Sequence, residues 1–346
     1  TYPMIQIPFV AGLRIFLRQV PLFLVILALA ACKDKSLNKD HEPGFTSGDT
    51  VEELQVELAY EANAQLGEGA FWDPVNQKFY WVDILGKQVN RFDPTTGTNE
   101  RWETPSRVGT VVPASSHEVV VALEDGFYVL DLQDSSFRQI ADTEADKPGN
   151  RFNDGKCDPM GNLWVGSMHL EETQPEGALY KVEPSGKDTR MRDSVTVSYG
   201  IVWSADQRTM YYIDTPTAVI RAYDFDPENA TIAKERVAVE VSPEMGFPDG
   251  MAIDSEDKLW VGLWNGNAVA RFDPESGELL TTIPVPAHNV TACAFGGPGL
   301  DTLYITTARV DMTPEELQQY PKSGSVFKVV PGVTGVPSPL FGKNNE

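Results

Sequence analysis

The sequence predicts an all-β protein, and more specifically a six-bladed β-propeller. Three observations support this prediction: one unit recurs six times, its strands are rich in Tyr, Trp and Val, and helical periodicity is nearly absent. The copies begin near Gly69, Val111, Gly155, Gly200, Gly250 and Ala292. Their spacing of roughly 40 to 50 residues is the period of a four-stranded propeller blade.

Each copy is built from hairpins. An apolar strand leads into a turn such as DPVNQK, DPMGN, SADQR or DSEDK, and a second strand such as FYWVD, LWVG or MYYID follows. Turns rich in Gly, Pro and Asp between such runs favour β-hairpins. A lone blade cannot bury both of its faces, so the copies are expected to stack around an axis and close. Residues 54–59 are predicted to add a strand to the last blade, and residues 312–320 to form at most one short helix.

Composition narrows the class of protein further. The chain has 346 residues, of which 41% are hydrophobic, and a formal net charge of −22. Such acidity argues against a nucleic-acid partner, which would favour a basic surface. The three cysteines form no CxxC pair and no cluster with histidine, which argues against a structural zinc site. Cys157 and Cys293 lie in apolar runs and are expected to be buried core residues rather than a disulfide.

The first residues resemble a bacterial lipoprotein signal peptide. Arg14 and Arg18 precede an apolar stretch at 20–31, which is shorter than the about 20 residues that span a bilayer. The end of this stretch, LAAC, is similar to a lipobox, which implies cleavage after residue 31 and acylation of Cys32. We therefore expect a signal peptide at 1–31, a polar tether at 32–50 and a propeller domain at 51–346. The alternative is an ordinary cleavage site with Cys32 incidental.

This organisation predicts a location as well as a membrane partner. A lipid on Cys32 would hold the protein at a membrane of the bacterial cell envelope. Lys33 follows the cysteine, and in lipoproteins this favours the outer membrane, with the propeller on its periplasmic face.

The residues that carry chemistry are expected at one end of the propeller. The sequence contains no GxSxG, HExxH or P-loop signature. In four copies, however, a polar residue precedes a glycine just before the first strand: Glu68, Asp154, Tyr199 and Asp249. The innermost strands of a propeller begin at one end, and carboxylates that meet there favour a hard divalent cation. The alternative is that each pair is an ordinary tight turn.

Several blocks of sequence resemble the regucalcin/gluconolactonase family. RFNDGK at 151–156, followed by DP and GSM, is similar to the RxNDGK, DP and GTM pattern of that family. GEGAFWD around Glu68 and FPDGMAID around Asp249 match as well, as do ACAFGG and GSVFKV. The resemblance extends over nearly all of residues 56–330. It implies a lactone hydrolase with a divalent metal, calcium first, and zinc, magnesium or manganese as alternatives.

The resemblance also implies roles for individual residues. Glu68 and Asp249 match the acidic metal ligands of the family. Arg151, Asn153 and Glu171 match residues that contact substrate hydroxyls, the last by its spacing after the GSM block.

One position departs from the family pattern. The family's Asn ligand lies in an SNGLxWS block, and the matching stretch here is SYGIVWS, in which Tyr199 replaces the Asn. A neutral phenol is a poorer ligand for a hard cation than an amide oxygen. We expect Asn153 and water to complete the metal shell; a preference for another metal, or weak binding, are the alternatives. Tyr199 is also predicted to contact the substrate.

These expectations define a function and its rivals. The predicted reaction is hydrolysis of sugar-type lactones, with Asp249 as general base and a metal that polarises the lactone carbonyl. One alternative is hydrolysis of hydrophobic lactones or small esters, with Tyr199 in an apolar pocket. The other is a non-catalytic propeller at the cell surface that binds a ligand and holds only a structural metal.

Overall fold

Twenty-four strands form six four-stranded antiparallel sheets in the computed structural model of the protein, which describes residues 54–342. In chain order, β1 spans Glu57–Tyr60, and blade 1 contains β2 Gly67–Asp73, β3 Lys78–Asp83, β4 Gln88–Asp93 and β5 Thr98–Glu103. Blade 2 contains β6 Val108–Pro113, β7 Glu118–Leu123, β8 Gly126–Asp131 and β9 Phe137–Ala141. Blade 3 contains β10 Asn150–Cys157, β11 Leu163–His169, β12 Gly177–Val182 and β13 Asp188–Val195.

The second half of the chain repeats the same plan. Blade 4 contains β14 Ser198–Trp203, β15 Thr209–Asp214, β16 Val219–Asp226 and β17 Thr231–Glu240. Blade 5 contains β18 Phe247–Ile253, β19 Leu259–Trp264, β20 Ala268–Phe272 and β21 Leu279–Pro284. Blade 6 contains β22 Asn289–Gly296, β23 Thr302–Ala308, β24 Val326–Val329 and, as its outermost strand, β1.

The blades close into a ring, which confirms the predicted six-bladed propeller. The innermost strand of each blade contacts that of the next, and β22 of the last blade contacts β2 of the first. Closure is completed by β1, which pairs antiparallel with β24 so that Leu58 lies opposite Phe327. The predicted closing strand is therefore present, although it begins at Glu57 rather than at residue 54.

Burial follows the position of each strand within its blade. The inner strand β2 is buried along its whole length, whereas the outer strand β5 is mostly exposed. Large side chains fill the space between blades: Phe127 and Phe152, from neighbouring blades, have ring centroids 4.6 Å apart. The repeated turn has a structural role, since Asp158 accepts a hydrogen bond of 2.8 Å from the indole of Trp164.

The antiparallel order decides which loops can form a site. The starts of the innermost strands, the loops from second to third strands and the connections between blades all share one end of the ring. The C-terminal segment contacts the other end, where the Val336 N–H donates to Ile253 O and the Phe341 N–H to Pro113 O.

The two cysteines of the propeller and its short helix also agree with the sequence-based predictions. Cys157 and Cys293 are free and buried. The predicted short helix, α1, spans Pro314–Gln319 and begins with a capping box formed by Thr313 and Glu316.

The predicted N-terminal segments precede the part of the chain that the structure describes. The signal peptide at 1–31, the lipidated Cys32 and the tether to residue 50 all lie outside the described residues. Within residues 54–342, no helix has the length and apolar character needed to cross a membrane.

Candidate active site

All six innermost strands are irregular near their start, at the end of the ring that the loops share. The pairing register shifts between Glu68 and Phe71 in β2, and corresponding shifts occur in β6, β10, β14, β18 and β22. A β-bulge re-aims side chains and bends its strand, and such bulges are common beside active sites. The four polar residues predicted to meet, among them Asp249, lie at these irregular points.

Glycines follow the polar residues because the strands approach closely there. Gly69 has φ of +62°, a conformation that disfavours other residues, and a Cβ there would lie 3.2 Å from Val82 Cγ2. A Cβ at Gly250 would lie 2.4 Å from the Cβ of Ala292 in the neighbouring blade. The polar–glycine pattern in the sequence therefore marks points where the start of an innermost strand lies close to a neighbouring strand of its own or the next blade.

Glu68 is buried and held by Tyr199. The Tyr199 hydroxyl donates a hydrogen bond to Glu68 Oε1, while Glu68 Oε2 is buried with no hydrogen-bond partner among the described residues. Burial raises the pKa of Glu68 to about 8, and the charge of Asp154 acts in the same direction. The hydrogen bond from Tyr199 opposes this rise, as does the charge of Arg151.

Asp249 is the second buried carboxyl of the site. It is 2% exposed. Burial raises its pKa well above the ordinary value, and the charges of Glu68, Asp154 and Glu172 add to the rise. Asp154 is likewise buried, with a raised pKa, and its Oδ2 has no partner in the described part of the chain. Three carboxyls thus lie close enough to disfavour one another's ionisation.

Arg151 supplies positive charge beside these acids. It is 6% exposed, and its Nη1 donates to Asn153 Oδ1 at 2.6 Å and to the Phe152 carbonyl at 3.2 Å. The Asn153 amide in turn donates to the Ser198 carbonyl at 2.9 Å. One lone pair of the Asn153 oxygen is therefore already engaged, which leaves one for a further partner.

The structure places Glu172, rather than Glu171, at the site. Glu171 is exposed, and its backbone N–H donates to His169 Nδ1 at 3.2 Å. Glu172 Oε1 lies 3.8 Å from Arg151 Nη2, and Glu172 lines the same cavity as Asp249. Because Glu172 has φ of +56°, the loop turns sharply there, and spacing after the GSM block does not indicate which glutamate faces inward.

These residues border a cavity of about 520 Å³. All six blades contribute to its lining, and its polar members include Arg107, Arg151, Glu172, Tyr199, Thr215 and Asp249. Arg107 had no signal in the sequence, because it lies in the connection that precedes β6 rather than in a repeated block. Glu68 lies outside this lining and contacts it through Tyr199.

The acidic residues partly fit a divalent cation. Among residues 54–342, no three His, Cys, Asp or Glu side chains form a group that could hold a metal. Glu68 and Asp249 nevertheless present buried carboxylate oxygens, and the positive charge around them is too small to balance their negative charge. One of these oxygens, Glu68 Oε2, has no hydrogen-bond partner among the described residues. With the amide oxygen of Asn153 they would make an all-oxygen set, which suits calcium or magnesium better than zinc.

The fold and site together define a six-bladed propeller with a cavity beside buried carboxyl groups at one end of its channel. The family model described as "SMP-30/Gluconolactonase/LRE-like region" matches residues 66–309, and the chain belongs to this family.

Relatives over most of the chain support this membership. The "Putative sugar lactone lactonase YvrE" of Bacillus subtilis is 39% identical over 274 residues, which are 79% of this chain and 94% of the relative. The solved structure of regucalcin from Agrobacterium tumefaciens, described as a calcium-binding protein, is similar with a TM-score of 0.80 and 27% identity, over 84% of this chain and 98% of that one. A luciferin-regenerating enzyme is similar with a TM-score of 0.78 and 31% identity, over 83% and 99%.

Proposed function

We propose that the protein hydrolyses lactones in the cavity bordered by Asp249, Tyr199 and Arg151. The observation that carries this proposal is the buried pair of Glu68 and Asp249, whose pKa values are both raised, next to a buried arginine. Buried acids with displaced pKa values in a cavity are typical of catalytic sites. The name of the Bacillus relative assigns it to sugar lactone lactonases, which supports the same reaction.

In the proposed reaction Asp249 is the general base. Its carboxylate accepts a proton from a water molecule as the water oxygen bonds to the lactone carbonyl carbon. The bond between that carbon and the ring oxygen then breaks, and the ring oxygen takes the proton back as the hydroxy acid forms. Arg151 and Glu172 would orient the substrate, and Tyr199 would keep Glu68 in place by its hydrogen bond.

The site would hold its cation through Glu68 and Asp249, with Asn153 as a further ligand. Calcium is the first candidate, because the ligands are oxygens and the similar Agrobacterium protein is described as calcium-binding. When bound, the cation would polarise the lactone carbonyl and lower the pKa of the carboxyls around it.

Acid release from a set of lactones tests the proposal. The protein is assayed by pH-stat with glucono-δ-lactone, δ-valerolactone and δ-decalactone, in calcium and after treatment with chelator. We expect turnover in calcium, loss after chelation and recovery when calcium is restored. Turnover that survives chelation would refute the role of the metal. Calcium binding without hydrolysis of any lactone would instead favour the non-catalytic binding propeller.

A further inference from the structure

The cavity has an apolar side and a charged side. The apolar side is formed by Leu66, Leu85, Trp264 and Val310, which pack together with the core of the first blades. These residues come from neighbouring blades: Leu66 and Leu85 from blade 1, Trp264 from blade 5 and Val310 from blade 6. We call this set the apolar wall.

The charged side lies on the opposite part of the ring. Arg107 precedes the first strand of blade 2, and Arg151 and Glu172 belong to blade 3. Arg151 and Glu172 form an ion pair at 3.8 Å across this side. Tyr199 belongs to blade 4, between the charged side and the apolar wall in the order of the blades, and Asp249 belongs to blade 5, which also supplies Trp264. Both residues line the same cavity as Arg151 and Trp264, so a substrate at Asp249 would contact both sides.

We infer that the natural substrate is a lactone that carries an alkyl or aryl substituent against the apolar wall. This inference rests on the proposed lactone hydrolysis and specifies its substrate class. A sugar hydroxyl placed on the wall would lose its hydrogen bonds to water without replacement, at a cost of about 1–3 kcal/mol each. A methylene group placed there gains about 0.8 kcal/mol. The wall therefore favours apolar substituents over a fully hydroxylated ring.

Two further apolar residues line the cavity, Phe247 in blade 5 beside the apolar wall and Leu170 in blade 3 on the charged side. Phe247, at the start of β18, is 42% exposed, and Leu170, just after β11, is 39% exposed. Both line the cavity. Large apolar side chains that stay exposed at a rim indicate a ligand that covers them when it binds. A substituent that extends beyond the apolar wall would contact Phe247, so the affinity for the substrate should depend on the length of its chain.

Three lactones that share a six-membered ring isolate the effect of the substituent. δ-Valerolactone has none, δ-decalactone carries a pentyl chain, and glucono-δ-lactone carries hydroxyl groups. We expect kcat/KM for δ-decalactone to exceed that for each of the other two by at least about tenfold, because five carbons are buried on the wall. A preference for glucono-δ-lactone would overturn the inference while leaving lactone hydrolysis intact. Failure to hydrolyse any of the three would overturn both.

Variants of the apolar residues give a second readout. Phe247→Ala and Trp264→Ala should each lower kcat/KM for δ-decalactone about tenfold more than for δ-valerolactone, since the lost contact reaches only the chain. Leu279→Ala is the control, because Leu279 is 47% exposed on the outer strand of the same blade. It should leave both values unchanged. If Phe247→Ala and Trp264→Ala affect both substrates equally, neither Phe247 nor the apolar wall binds the substituent, and the inference fails.

Discussion

Glu68 is a buried acid whose charge has too little compensation, so Glu68→Gln should stabilise the protein when no metal is bound. Burial raises the pKa of Glu68 from 4.5 to about 8. The unfolded chain releases this proton above pH 4.5, whereas the folded protein retains it until about pH 8. The folded state binds more protons across this interval, and its free energy of unfolding therefore falls as pH rises.

The size of the effect follows from the same interval. At pH 7 Glu68 stays protonated in the folded protein although it is ionised in the unfolded chain, and this lowers the free energy of unfolding by at most about 3 kcal/mol. Glutamine has the same shape and cannot ionise, and its oxygen can still accept the hydrogen bond from Tyr199. Its amide nitrogen would take the place of Glu68 Oε2, which has no hydrogen-bond partner in the described part of the chain. A buried N–H group without an acceptor is destabilising, and this offsets part of the gain in stability. We expect a net gain of about 1–2 kcal/mol at pH 7.

Urea denaturation in chelator at pH 5, 6, 7 and 8 measures this difference. The advantage of Glu68→Gln over the parent should grow with pH. Saturating calcium should reverse the order, because only the parent keeps the proposed carboxylate ligand, and calcium at 100 times the Kd would add about 2.7 kcal/mol. Glu278→Gln, at an exposed position of blade 5, is the control and should show no such trend. Parallel pH profiles for Glu68→Gln and the parent would refute the reasoning.

Three further changes test other parts of the account. Tyr199→Asn removes the hydrogen bond to Glu68 and adds an amide oxygen, so calcium affinity in a calorimetric titration should rise at least about tenfold; unchanged affinity would contradict this. Glu144 is buried, yet hydrogen bonds from four neighbouring side chains hold its pKa below the ordinary value of 4.5. Glu144→Gln should therefore cost about 2–4 kcal/mol in urea at pH 7, and this difference should shrink as pH falls below 4.5; a cost that does not vary with pH would argue against a paired carboxylate. Cys32→Ser should move the protein from the membrane to the soluble fraction of bacterial cells and abolish fatty-acid labelling; a membrane-bound variant would rule out the lipid anchor.

The fold could be predicted because every blade repeats the same pattern of strand and turn residues. Turns anchored by aspartate, such as that of Asp158, recur between strands of similar composition, and closure needed only one extra strand, β1. The meeting of Glu68 with Tyr199, 131 positions apart, follows from closure of the ring alone. The common position of Glu68 and Tyr199 at the starts of innermost strands was therefore enough to indicate that these two side chains lie close together.

The site residues that could not be predicted lie in loops or at strand ends. The choice of Glu172 over Glu171 depends on one left-handed residue, which spacing does not encode. The apolar wall draws Leu85, Trp264 and Val310 from loops or strand ends of three blades, which share no motif. Side chains that meet only after closure, without a common position in the repeat, give no periodic signal.

Turnover by Asp249→Asn shows whether the buried carboxylate of Asp249 takes part in hydrolysis. The variant keeps the shape of the side chain but removes both the proposed base and a proposed carboxylate ligand. We expect kcat/KM for δ-decalactone in saturating calcium to fall by about 100-fold or more, and the urea midpoint in chelator to equal or exceed that of the parent. A folded Asp249→Asn protein that hydrolyses the lactone as fast as the parent would contradict the proposed role of Asp249.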